Sequence, residues 1–165
     1  MIIDGSCHCN KVKFSLKSLT PYPYICCYCS ICRKTAGGGG YSINIMGEAR
    51  TLEVTGKNNL KIYKAEIPAS DEPGQTKTST VERNFCKHCG SFLWFYEPAW
   101  PDWIYPFASA IDSSLPKPPE RLHIFLDSAA PWCEIREDKK NRKFPAYPDE
   151  SIMDWHKRHK LMEKM

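Results

Sequence analysis

The sequence predicts a mainly β domain that ends in one short helix, and three observations carry the prediction. Apolar and polar residues alternate over many short stretches, the period of half-buried strands. Thirteen prolines, most in the second half of the 165 residues, favour short strands and irregular connections over long helices. Only the stretch past Pro148 carries apolar residues at helical spacing.

The elements follow in order. Val12, Phe14 and Leu16 alternate with Lys11, Lys13, Ser15 and Lys17, a strand with one buried face. Residues 22–27 read as a strand feeding a group of cysteines. Residues 37–40 are four glycines, whose backbone entropy opposes helix and strand alike, so they form a loop. Tyr41, Ile43 and Ile45 alternate again, as do Leu52 and Val54, then Leu60 and Ile62. Between the last two pairs, Gly56-Lys57-Asn58-Asn59 reads as a hairpin connection. Residues 68–77 are polar and turn-rich, a surface loop. Residues 78–85 and 91–96 are strands on either side of another cysteine group. Residues 104–110 and 122–126 are further strands, and prolines make 116–119 an extended connector. In the tail, Asp149 or Ser151 caps a helix carrying Ile152, Trp155, His159 and Met162. With no repeat and no interdomain linker, residues 1–148 form one domain and 149–165 its helical extension.

Hydrophobic residues at 42% and charged residues at 25% are ordinary for a globular chain. The start lacks the basic-then-apolar pattern of a secretory signal. No apolar run approaches the roughly 20 residues that span a bilayer. The expectation is a cytoplasmic protein without membrane contact. There the nine cysteines stay reduced, and their odd number fits disulfide pairing poorly.

Seven of those cysteines fall into three tight groups: Cys7 and Cys9; Cys27, Cys29 and Cys32; Cys86 and Cys89. Such turns aim two sulfurs at one ion. Cys7, Cys9, Cys86 and Cys89 complete a tetrahedral set, the closed arrangement of a structural zinc, and would tie the first turn to a segment about eighty residues later. His8 and His88 sit inside these motifs as alternative ligands. Cys27, Cys29 and Cys32 supply three ligands and leave a position open, the arrangement of a catalytic zinc. Cys26 or Cys133 is the alternative fourth ligand there, though Cys26 would face away from Cys27 in a strand. Iron is the alternative metal. An open zinc position holds an incoming thiol as thiolate and polarises a carbonyl. With both sites filled, the formal charge of +4 falls to about +1, which argues against a polyanionic partner such as nucleic acid.

The three cysteine groups, in this order, resemble the glutathione-dependent formaldehyde-activating enzyme family, which includes centromere protein V. The matching segments are Gly5-Ser6-Cys7-His8-Cys9, Cys27-Tyr28-Cys29-Ser30-Ile31-Cys32-Arg33-Lys34 and Arg83-Asn84-Phe85-Cys86-Lys87-His88-Cys89-Gly90. Ala110-Ile111-Asp112, His123-Ile124-Phe125 and Ala130-Pro131-Trp132 follow the family's C-terminal pattern. The resemblance covers about residues 2–148. It implies a zinc-containing β-tent domain, a structural zinc on Cys7, Cys9, Cys86 and Cys89, and a catalytic zinc on Cys27, Cys29 and Cys32. It also implies a carbon–sulfur lyase activity, the reversible joining of glutathione and formaldehyde into S-hydroxymethylglutathione. Cys26, the four glycines and the basic tail depart from the family.

On this reading the protein carries two Zn²⁺ and takes a small thiol, glutathione, and an aldehyde or related electrophile as partners. Arg33 and Lys34, beside Cys32, are the expected partners of the glutathione carboxylates, with Arg83 next. Tyr41, Trp94 and Trp132 are either pocket walls or core. The alternative is a non-catalytic zinc module that binds a protein or nucleic acid, favoured by the basic tail through Lys164 and by Trp100 and Trp103. A third reading, redox chemistry at Cys29-x-x-Cys32, lacks the βαβ pattern it needs.

Overall fold

The computed structural model describes residues 1–69, 73–135 and 137–161. Strands β1 (Ile2–Ser6), β2 (Lys13–Lys17) and β3 (Tyr24–Cys27) lead into helix α1 (Ser30–Ala36). There follow β4 (Ser42–Asn44), β5 (Gly47–Glu48), β6 (Glu53–Thr55), β7 (Leu60–Tyr63), β8 (Glu66–Pro68) and β9 (Thr76–Thr78). Then come β10 (Glu82–Cys86), β11 (Phe92–Tyr96), β12 (Trp103–Pro106), β13 (Arg121–Ile124) and β14 (Arg142–Lys143), and last helix α2 (Ile152–Arg158). The chain is mainly β with a short C-terminal helix, as the alternation predicts.

The strands form a three-stranded sheet β1-β2-β6, a five-stranded sheet β5-β12-β11-β10-β7, a four-stranded sheet β14-β13-β3-β4 and a small β8-β9 hairpin. Isolated bridges link the larger sheets: Gly5 pairs with Ile111, and Asn44 with Phe107. Ile45 N–H donates to Pro106 O at 2.9 Å beside the second bridge. The four-stranded sheet thus runs on, through β4, into the five-stranded one.

Alternation puts Val12, Phe14 and Leu16 inside, at 4% exposure or less. They pack with Cys7, Cys86, Leu93, Trp94 and Ile104 in one core cluster. A second cluster joins Cys27 and Cys32 to Leu122, Ile124, Phe144 and Trp155. The tail helix packs by Trp155, which is fully buried. Ser151, one of the two expected caps, accepts the Asp154 N–H at 3.1 Å. Met162 and Lys164 lie outside the described residues.

Three expectations are corrected. The stretch at 56–59 is not a hairpin, because β6 pairs with β2 and β7 with β10, in different sheets. Gly56 makes the crossing possible. It has φ +78°, and a Cβ there would meet Lys11 O at 2.0 Å. Second, the cysteines at 27–32 do not lie in a plain turn between strands, since Cys29 caps α1. That helix buries Cys32 alone, so no apolar residues at helical spacing announce it. Third, β4 buries its polar residues: Ser42 and Asn44 are buried and Ile43 only half-buried. The ends of the expected 68–77 loop are the β8-β9 hairpin, and residues 70–72 lie outside the described residues.

Candidate metal centres

Two groups of sulfurs converge. The Sγ atoms of Cys7, Cys9, Cys86 and Cys89 lie within 4.8 Å of one another, and so do those of Cys27, Cys29 and Cys32. The first group joins the β1-β2 turn to the β10-β11 turn. Each turn is shaped by its own backbone. Cys7 N–H donates to Val12 O and Asn10 N–H to Cys7 O in one, and Gly90 N–H to Cys86 O in the other. Ser91 ties them together by accepting the His8 N–H at 3.1 Å. Cys7–Cys9 at 3.5 Å and Cys9–Cys86 at 3.7 Å match the roughly 3.8 Å between sulfurs held tetrahedrally at about 2.3 Å from one ion. The donor set fits a closed sulfur site. His8 and His88 are exposed and stand outside it, and His88 pairs with Asn59 at 2.9 Å instead.

The second group is built where β3 ends. Cys27 is the last residue of the strand, Tyr28 turns away, and Cys29 and Cys32 straddle the first turn of α1. Cys29 Sγ accepts the Cys32 N–H at 3.4 Å, so one residue is both helix cap and member of the cluster. Tyr28 locks the turn: its N–H donates to Ile124 O at 3.0 Å, and its buried hydroxyl bonds His123 Nδ1 at 2.8 Å. Hydrogen bonds from Cys27 and Cys32 hold the Cys29 thiol down to about 2, while Cys27 is pushed up by the bond it gives Cys29. Cys29 is therefore the first of the three to ionise.

Cys26 is fully buried on the opposite face of β3, and burial pushes its thiol up to about 11. Cys133 bonds Gly39 O at 3.5 Å. Neither belongs to the three-sulfur cluster. Among the described residues that cluster has three sulfur members and no fourth.

The other expected residues are dispersed. Arg33 and Lys34 line a cleft of about 750 Å³ with His8, Asn10, Ser91 and Asp112. This cleft opens beside the four-sulfur group, with Cys7 in its lining, and no cysteine of the three-sulfur group lines it. Helix α1 thus offers Cys29 and Cys32 to one site and Arg33 and Lys34 to the other. Tyr41 packs on Tyr28 with ring centroids 4.9 Å apart, and Trp94 on Phe14 at 5.1 Å. Trp94 is core, whereas Trp132 is 64% exposed.

Several residues around the three-sulfur group escaped the sequence reading. Ser42, the partner of Cys27 across the β3-β4 ladder, is buried and donates to Asn44 Oδ1 at 2.9 Å. Phe125 takes the left-handed conformation, φ 58° and ψ 42°, rare for so large a side chain. Its ring meets Tyr147 edge-on at 4.6 Å. Tyr147 is 70% exposed; partial burial of its hydroxyl, then the charges of Cys27 and Cys29, push that hydroxyl up. Tyr147 lies about 115 residues beyond Cys32 with no motif around it, and sequence offers no signal for it.

Residues 2–128 match the family described as "Glutathione-dependent formaldehyde-activating enzyme". Over 163 residues, 99% of each chain, the sequence is 52% identical to a Halomonas elongata protein named "Putative glutathione-dependent formaldehyde-activating enzyme". A crystal structure of a Rhodobacter sphaeroides protein shares the fold. Its TM-score is 0.51 at 23% identity, covering 68% of this chain and 91% of that one.

Proposed function

This chain belongs to the glutathione-dependent formaldehyde-activating enzyme family, and on that premise we propose that it is a zinc-dependent carbon–sulfur lyase. It reversibly joins a thiol, glutathione, to formaldehyde. The observation that carries this reading is the difference between the two sulfur groups: four members in one, three in the other. Cys7, Cys9, Cys86 and Cys89 would hold a structural zinc, and Cys27, Cys29 and Cys32 a catalytic one, in a β-tent domain spanning residues 1–148. Burial of Trp155 in the Cys27 cluster supports reading 149–165 as part of the same unit.

A zinc on the three-sulfur group would keep an incoming thiol ionised and withdraw electrons from the aldehyde carbonyl. The chain's residues do the rest. Tyr28 fixes the turn that carries the three sulfurs, so their arrangement is set before the cosubstrate arrives. The thiol sulfur forms a bond to the formaldehyde carbon, the carbonyl π pair moves onto oxygen, and that oxygen takes up the proton the thiol has lost. The direction of its shift supports Tyr147 as the relay for that proton: its O–H gives a proton to the oxygen, and the proton shed by the thiol restores it. The Phe125 ring packs edge-on against Tyr147 and holds it on this side. Arg33 and Lys34, in the cleft at the far end of α1, would receive one carboxylate of glutathione.

The test measures zinc content with and without glutathione, and follows ¹³C-formaldehyde by NMR. Two zinc ions per chain and a hydroxymethyl carbon bonded to sulfur are expected. Two zinc ions, bound glutathione and no adduct would replace formaldehyde with another electrophile.

A further inference from the structure

Among the described residues, the buried charge of Arg83 lacks a protein partner. Arg83 sits on β10 and is 7% exposed, yet its Nε and Nη1 have no hydrogen-bond partner among the described residues. A buried guanidinium is costly unless an anion faces it. Glu97 lies one residue past the end of β11, two beyond the Phe95 that faces Arg83, and both its oxygens are engaged: Oε2 accepts from Thr80 and Oε1 from the Ala99 N–H. No ion pair to Arg83 forms among the described residues.

The sheet registers show which way this side chain stands. Residues directly opposite across a ladder share a face. Arg83 lies opposite Phe95, and Phe95 opposite Tyr105. The Phe95 and Tyr105 rings stack at 4.7 Å, and Phe95 lies 5.9 Å from Phe107. Phe107 bridges to Asn44, Asn44 bonds Ser42, and Ser42 lies opposite Cys27. One face therefore carries the three-sulfur group at one end, an aromatic floor between, and the unpartnered guanidinium at the other.

We infer that Arg83 is the receptor for a carboxylate of the thiol cosubstrate, the second carboxylate beside the one given to Arg33 and Lys34; this rests on the glutathione reading above. The distances allow it. Four strand spacings of roughly 4.8 Å, with an offset of about four residues along the strands, put about 23 Å between the backbones of Cys27 and Arg83. The glutathione thiol is on its middle residue, so one extended arm of about 7 Å lies between sulfur and carboxylate, and the cysteine side chains at one end and the long Arg83 side chain at the other reach in to meet it. Forked N–H groups on a planar cation suit a carboxylate. The aromatic floor would lie under the peptide between.

The test compares zinc-loaded wild type, Arg83→Met and Arg83→Lys by calorimetric titration with glutathione and with 2-mercaptoethanol, a thiol without a carboxylate. Arg83→Met should weaken glutathione about 10- to 100-fold, leave 2-mercaptoethanol within about twofold, and raise KM far more than it lowers kcat. Arg83→Lys should fall between. The thermal midpoint of Arg83→Met should not drop, because an apolar side chain replaces an unpaired buried charge. A marked drop would assign the guanidinium to the fold and overturn the inference. Equal loss of both thiols, or no loss of either, would do the same. Wild type that binds no glutathione rejects the underlying reading along with the inference. Tight wild-type binding unchanged in Arg83→Met rejects the inference alone.

Discussion

Cys26 and Cys27 are chain neighbours with opposite surroundings, because successive side chains in a strand point to opposite faces. Cys27 joins Cys29 and Cys32, while Cys26 is sealed on the other side. Cys26→Ala should leave metal content at the wild-type value and cost about 1 kcal/mol of stability; loss of one metal ion per chain would put Cys26 back among the ligands. Gly5 illustrates a second constraint at this scale. A Cβ there would come within 2.3 Å of Ala110 O and 2.4 Å of the Phe14 ring. Backbone on one side and packed ring on the other leave nothing to give way. Gly5→Ala should destabilise by about 1–3 kcal/mol, read from denaturant midpoints, the range for overfilled sites.

Among the elements, α2 shows how a short helix is held. Its Ser151 cap closes one end. Glu120 accepts from Trp155 Nε1 and from Arg158, and Glu150 pairs with both Arg142 and Arg158. Inside, His156 is 1% exposed and its Nε2–H donates to Tyr22 O at 2.8 Å. Burial lowers the His156 pKa, so the ring is neutral in the fold and takes a proton more readily when unfolded. Its contribution is complete above about pH 6.5 and declines as pH falls below that value. Trp155 fluorescence across pH 5–8 should report loosening on the acid side. The slope should be shallower in His156→Gln; equal slopes would assign the pH dependence elsewhere.

At the scale of the whole molecule, the four-sulfur group ties the β1-β2 turn to the β10-β11 turn, while the three-sulfur group ends one strand and starts a helix. A clip across a long loop contributes to folding, and a local one much less. Cys86→Ser should therefore lower the thermal midpoint by roughly 10 °C or more, about 3–5 kcal/mol. Cys29→Ser should abolish thiol binding with a much smaller thermal change. Equal shifts would remove the division into structural and catalytic centres. Chelation should follow the same order, with one metal ion leaving before the fold does.

The sequence by itself determined the strands that alternate and which sulfurs are grouped, because period-two alternation and cysteine spacing are local properties of the chain; β1, β5, β8, β9 and β14 were not legible in it. Val12, Phe14 and Leu16 pack inward as their pattern requires, and each cysteine group is a turn that points its own sulfurs together. Local pattern could not reveal the separation of β6 from β7, the burial of Ser42 and Asn44, or the short helix after Cys29. Nor could it reveal that Phe125, Tyr147 and the Cys27 cluster meet, or that Arg83 shares a face with that cluster. Those were decided by strand order and by bridges between sheets, contacts far apart in sequence whose partners no local window contains. The tertiary structure alone settled which face each side chain shares, and with whom.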